Sequence, residues 1–89
     1  NRLRVLLCDD HGIVRRGMRA LLEAEEGMEV VGEAADGREA VKLAELLKPN
    51  LIIMDIALPL LNGIDATAQA LKHAPDARVV ILSMHNDES

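Results

Sequence analysis

Apolar residues in this chain gather into short runs that alternate with stretches of helical period. Leu3 to Cys8, Leu51 to Met54 and Val79 to Leu82 are apolar and rich in branched side chains, which predicts parallel strands buried on both faces. Glu29 to Ala34 carries glutamates near both ends and reads as a strand closer to a sheet edge. Between the first two runs, Val14, Met18, Leu21, Leu22 and Glu25 follow a 3.6 spacing, with Gly27 placed as a C-terminal cap. Asp36 stands three residues before Glu39 and opens a second helix, whose stripe is Ala40, Val41, Ala44 and Leu47 and whose stop is Lys48-Pro49. Asn62-Gly63 caps a third helix with Ile64, Ala68 and Leu71 on one face and Ala74-Pro75 as its end. The polar segment from His85 reads as the start of a fourth.

A β-α-β-α-β-α-β order with short links predicts an α/β fold: a parallel sheet with right-handed crossovers and helices on both faces. Ligands of such sheets bind outside the carboxyl ends of the strands, where the winding reverses. That edge collects Cys8-Asp9-Asp10 from the first strand, Met54-Asp55 from the third and Leu82-Ser83 from the fourth. With strands one and three adjacent, Asp10 and Asp55 come within a few ångströms, where two like charges repel by roughly 4 kcal/mol at an effective dielectric near 20. Protonation of one carboxylate or a bound cation would offset this, and an oxygen-only cluster suits Mg²⁺ better than zinc. The plainer reading is that Asp9 and Asp10 cap the first helix and Asp55 caps the following turn.

Composition narrows the function classes. The 89 residues hold ten Lys and Arg against fifteen Asp and Glu, a net charge of −5, which argues against a nucleic-acid grip by this segment alone. Phe, Tyr and Trp are absent, so there are no base-stacking platforms and the core must be light, built from Leu, Ile, Val, Met and Ala. One domain fits the length. The single cysteine, Cys8, excludes an internal disulfide framework and reads as a small buried hydrophobe. No apolar run is long enough to span a membrane and Asn1-Arg2-Leu3-Arg4 leads straight into a strand, so the expectation is a cytoplasmic chain with no membrane partner. His11, His73 and His85 share no ligand spacing and read as solvated.

Taken together, Leu6-Leu7-Cys8-Asp9-Asp10-His11, the segment Ile53 to Gly63 with Asp55 and Pro59, and Val80-Ile81-Leu82-Ser83 resemble the receiver domain of bacterial two-component response regulators. The resemblance covers residues 1–89, and the DDH start, Glu29 to Gly37 and Leu82-Ser83-Met84-His85 are most similar to the NarL/FixJ class. It implies a flavodoxin-like receiver fold, incomplete at its C-terminus, since the family's fifth strand, its lysine and its last helices have no counterpart here. It further implies that Asp55 is the phosphoacceptor for a sensor histidine kinase, and that Ser83 hydrogen-bonds the phosphoryl group. Asp10, Asp55 and the carbonyl of Ala57 would hold Mg²⁺, with Asp9 acting through a water. Such a domain is a signalling module rather than an enzyme, and in this class it normally controls transcription through a C-terminal DNA-binding domain.

Leu58, where the family more often has Met, preserves apolar volume. Arg15, Arg16 and Arg19 read as a solvated face or, by fold analogy, as part of the region adjoining the kinase-docking surface. A Mg²⁺-dependent phosphohydrolase fits less well, because no Asp-x-Asp pair ends the first strand. A nucleotide-binding domain fits less well again, because Asp9-Asp10-His11-Gly12 stands where a phosphate-binding glycine turn belongs. The alternative from another class is a truncated, phosphorylation-incompetent receiver acting as an interaction module. An apolar fourth strand left as an edge also predicts a homo-oligomer.

Overall fold

A computed structural model describes residues 2–82. Its order is β1 (Leu3–Cys8), α1 (Gly12–Glu23), β2 (Met28–Ala34), α2 (Gly37–Leu47), β3 (Leu51–Asp55), α3 (Gly63–His73) and β4 (Arg78–Leu82). All four strands are parallel, in the spatial order β2-β1-β3-β4. The winding therefore reverses between β1 and β3. This is the flavodoxin-like receiver architecture that the family resemblance implies, built on the parallel α/β sheet that the alternation of periods predicts. Ser83 and the fourth helix expected from His85 lie outside the described residues.

Alternate residues of the central strands feed two cores, as a pleated strand covered on both faces requires. Leu6, Cys8, Ile52 and Met54 pack with Ala40, Ala44, Ala66 and Ala70 beneath α2 and α3. Val5, Leu7, Val30 and Ile53 pack on the other face with Met18 and Leu22 of α1. Cys8 is buried and free, and burial pushes its thiol up to about 12, in keeping with a packing role.

Caps end the helices largely where expected. Asp36 accepts from the Glu39 amide at 2.8 Å while the Glu39 carboxylate accepts from the Ala35 amide at 3.0 Å, a local exchange worth about 1 kcal/mol. Asn62 accepts from the Asp65 amide at 2.9 Å. Lys48 closes α2 in the left-handed region, φ 47°, just before Pro49.

Four expectations are corrected. Helix α1 stops at Ala24, not at Gly27, which instead lies in the turn and accepts a hydrogen bond from the Leu3 amide. Leu21 is 72% exposed, because α1 lies on the sheet through Met18 and Leu22. Ile64 is 55% exposed and Ala68 is exposed too, because α3 turns Ala66 and Ala70 inward to pack against the alanines of α2. Strand β4 is not buried on both faces: among the described residues it is a sheet edge, with Val80 46% and Ile81 39% exposed.

Candidate metal and phosphoacceptor site

The parallel pairing of β1 with β3 sets Cys8 opposite Met54, so the next residues of the two strands, Asp9 and Asp55, emerge together at the carboxyl edge. Both are only 2% exposed. Asp10 and His11 follow in the turn to α1, and one ligand atom from each of Asp9, Asp10, His11 and Asp55 lies within 4.8 Å of the others. The three predicted carboxylates are thus brought together at the predicted edge. His11 completes the group and is a residue the sequence reading set aside. Its ring Nδ1 stands 3.0 Å from Asp9 Oδ1 and 3.1 Å from Asp10 Oδ1. The hydrogen bond to Asp9 and the nearby charge of Asp10 raise the imidazole above its ordinary value.

Each buried carboxylate divides its oxygens between two tasks. Asp9 Oδ1 accepts from the His11 amide at 2.8 Å, and Asp55 Oδ1 accepts from the Ala57 amide at 3.1 Å, so both carboxylates do brace their turns. The second oxygens, Asp9 Oδ2 and Asp55 Oδ2, are buried and have no hydrogen-bond partner. Unpartnered buried carboxylate oxygens cost several kcal/mol of lost hydration unless a cation or donor compensates them. A capping role alone leaves that cost standing, whereas a hard, oxygen-seeking divalent cation removes it, so the residues present fit Mg²⁺.

The β3–α3 turn frames the site from one side. Leu58 is buried in the larger core, filling the apolar volume expected of it. Leu60 takes a left-handed φ of 70°, and the Gly37 amide donates to the Pro59 carbonyl at 3.0 Å. The Gly63 amide donates to the Ile56 carbonyl at 3.0 Å and closes the turn behind Asp55. Ala57 is exposed at the mouth.

On the far side, Arg15 and Arg19 are not a free solvated face. Arg15 Nε donates to Glu33 Oε1 at 2.7 Å, and Arg19 donates to Glu33 Oε2 and to Glu23. Partial burial pushes the Glu33 carboxyl up, but the hydrogen bonds from Arg15 and Arg19 outweigh it and hold the group below its usual range. A carboxyl lowered on folding contributes stability above its ordinary value and loses it on acidification through the folded value, so this linkage weakens only in acid.

Comparison with known proteins agrees with this geometry. The response regulator receiver domain family matches residues 5–89. The transcriptional regulatory protein DegU of Brevibacillus brevis is 40% identical over 89 residues, covering 100% of this chain and 38% of that protein. The response regulator domain of Thermotoga maritima CheB superposes with a TM-score of 0.90 at 40% identity, covering 100% of this chain and 66% of that one. The receiver domain of a putative response regulator NarL from Mycobacterium tuberculosis gives 0.88 at 30% identity, covering 99% and 71%. The chain spans about two fifths of the length of the curated relatives it matches, 38% of DegU among them. With a parallel sheet, an acidic edge and these relatives in agreement, the chain belongs to the response regulator receiver domain family, and its curated relatives of the DegU type are regulators of the NarL/FixJ class.

Proposed function

We propose that this chain is the phosphoacceptor module of a two-component response regulator, receiving a phosphoryl group on Asp55 from the phosphohistidine of a sensor kinase. The observation that carries the reading is Asp55 Oδ2, buried at a strand end beside two further carboxylates and without a hydrogen-bond partner. In the transfer, an Asp55 carboxylate oxygen attacks phosphorus and the P–N bond breaks. The electron pair leaves with the imidazole, which takes a proton from solvent. Asp10, Asp55 and the Ala57 carbonyl would hold Mg²⁺, with Asp9 acting through a water, and the bound ion would neutralise charge on the phosphoryl oxygens. Ser83 would donate to one of those oxygens. The added charge, about −1.5 to −2, would be the signal.

This is signalling without turnover of a substrate, in the cytoplasm, and in a relative such as DegU the whole protein is a transcriptional regulator. We extend that to this protein: a DNA-binding output domain is the natural recipient of the signal. No helix among the described residues is long and apolar enough to cross a membrane.

Two measurements on the chain test the reading. Titration with Mg²⁺ should move the amide resonances of residues 9–11 and 55–58 first, and incubation with acetyl phosphate and Mg²⁺ should add one phosphoryl mass. Shifts confined elsewhere, or none at millimolar metal, would sink the site.

A second reading, association without phosphorylation, draws on β4, which among the described residues is an exposed apolar edge. Edge strands of this kind pair with other chains unless charged. Light scattering should show concentration-dependent self-association that Val80→Lys suppresses, and a concentration-independent monomer would remove the second reading. Association with a normal phosphoryl uptake would leave both activities in one chain.

A further inference from the structure

Helix α1 begins without the device that starts the other two helices. Asp36 and Asn62 cap α2 and α3 with their side chains, whereas the residue at that position of α1, His11, makes no side-chain cap hydrogen bond. Yet the turn before α1 carries Asp9 and Asp10 and must be held to fractions of an ångström for a metal site to work. The Asp9 carboxylate braces it through the His11 amide, and Arg15 adds a second hold from the helix. Its guanidinium Nη1 donates to the Asp9 carbonyl oxygen at 2.7 Å, and its backbone amide donates to the His11 carbonyl oxygen at 2.9 Å. The Asp9 amide in turn donates to the Ala34 carbonyl oxygen at 3.0 Å, so both backbone polar groups of Asp9 are fixed. Glu33 takes Arg15 Nε, and lies opposite Leu7 in the β1–β2 ladder, one pair before the end of β1. Arg19 holds the other Glu33 oxygen and is itself paired with Glu23.

We infer that Arg15 is a positioning residue for the divalent-cation site: held by Glu33 of β2, it clamps the Asp9 backbone and so sets the Asp9 and Asp10 carboxylates for the ion. The inference rests on the proposed Mg²⁺ site. A guanidinium suits the task because its planar fork donates in two directions at once, to a carboxylate and to a carbonyl, which an ammonium on a flexible stem does not reproduce. The charges also balance locally. Arg15 and Arg19 are matched by Glu33 and Glu23, so the clamp adds no net positive charge beside a site that must attract a cation.

Coulomb's law gives the test a sign. Removing a positive charge near a cation site should by itself tighten Mg²⁺ binding, and replacing Arg15 by Lys should leave it unchanged. Positioning requires the opposite in both variants. We expect Arg15→Met and Arg15→Lys each to weaken Mg²⁺ binding, by about tenfold as is common when a residue supporting metal ligands is lost. Glu33→Gln should weaken it too, and the double variant Arg15→Met/Glu33→Gln should bind no more weakly than Arg15→Met alone, because the two residues act through one contact.

The readout is the Mg²⁺ dissociation constant from amide shifts at Asp9 to His11 and Asp55 to Leu58, measured on variants whose far-ultraviolet circular dichroism matches the parent. Unchanged or tighter binding in Arg15→Met, or full retention in Arg15→Lys, overturns the inference while leaving the metal site intact. Failure of the parent chain to bind Mg²⁺ overturns both. Because Arg15→Lys keeps the charge and most of the packing, it remains decisive even if Arg15→Met fails to fold.

Discussion

Asp55→Asn should take up no phosphoryl group from acetyl phosphate and should lose most of its Mg²⁺ affinity, yet in metal-free buffer it should melt at a higher temperature than the parent chain. The two halves of this expectation share one cause. In the parent, Asp55 Oδ2 is buried and without a partner, and Asp55 shares with Asp9, Asp10 and His11 a cluster whose ligand atoms lie within 4.8 Å of one another. Asparagine keeps an oxygen to accept from the Ala57 amide, removes one of the repelling charges, and offers an NH₂ that can donate to the neighbouring carboxylates. Relief of about 1–2 kcal/mol follows from the ordinary cost of an unpartnered buried charge. In a domain of this size that is roughly 5–10 °C in Tm.

Mg²⁺ reverses the ranking. A ligand that binds only the folded state stabilises it in proportion to the logarithm of its concentration over Kd, so millimolar Mg²⁺ should raise the Tm of the parent and leave that of Asp55→Asn nearly unmoved. Circular dichroism is the suitable probe, since the chain has no Phe, Tyr or Trp to report by fluorescence. If Asp55→Asn is destabilised in metal-free buffer, the buried carboxylate is not the strained group proposed. If it is modified as fully as the parent, Asp55 is not the acceptor.

The central strands and the acidic residues at their ends were legible because each rests on a strong local signal, whereas the adjacency of β1 and β3 entered as a condition that the structure supplies. Leu3 to Cys8 and Leu51 to Met54 are continuous apolar runs, and parallel strands covered on both faces require such runs. Asp9, Asp10 and Asp55 follow them immediately, so once β1 and β3 are neighbours their convergence is fixed by register. Helix faces were less legible, for a reason visible in α3. Hydrophobicity favours Ile64 as a core residue, but α2 and α3 approach each other through Ala40, Ala44, Ala66 and Ala70, where a larger side chain would hold them apart. Small residues carry little hydrophobic weight and much steric permission.

The Arg15–Glu33 contact was hidden for a different reason. The pairing of β1 with β2 shifts between Val5 and Leu6, skipping Val31, so that Leu7 lies opposite Glu33 rather than Gly32. A one-residue irregularity of this kind changes which side chains meet across a strand pair, and nothing in the spacing of charges announces it. His11 was missed because its place in the cluster depends on a turn and a ring orientation rather than on a ligand spacing along one element.

Gly63→Ala should be strongly destabilising, and its effect should reach the site as well as the fold. Gly63 opens α3 and is buried against the end of β3. A Cβ there would run into the Asp55 carbonyl oxygen and stand 2.7 Å from Ile56 Cα and 3.0 Å from the Asp55 carbonyl carbon. These are backbone atoms, so no rotamer change relieves the clash. Either α3 retreats from the sheet, or the strand end that presents Asp55 shifts.

Overpacking of this kind typically costs 1–3 kcal/mol, and with only backbone to yield we expect about 3 kcal/mol, a fall in Tm of roughly 15 °C. Gly17→Ala supplies the contrast. Gly17 lies within α1 with nothing inside 4 Å of an added Cβ, so alanine there should stabilise the chain by about 0.5–1 kcal/mol through backbone entropy alone. Thermal melts of the two variants give the comparison. In whatever fraction of Gly63→Ala remains folded, the Mg²⁺-induced shifts at residues 55–58 should be weakened, because the displaced backbone carries both the Asp55 carboxylate and the Ala57 carbonyl. A Gly63→Ala chain that melts with the parent and binds Mg²⁺ equally well would show that the β3–α3 junction is looser than its packing implies.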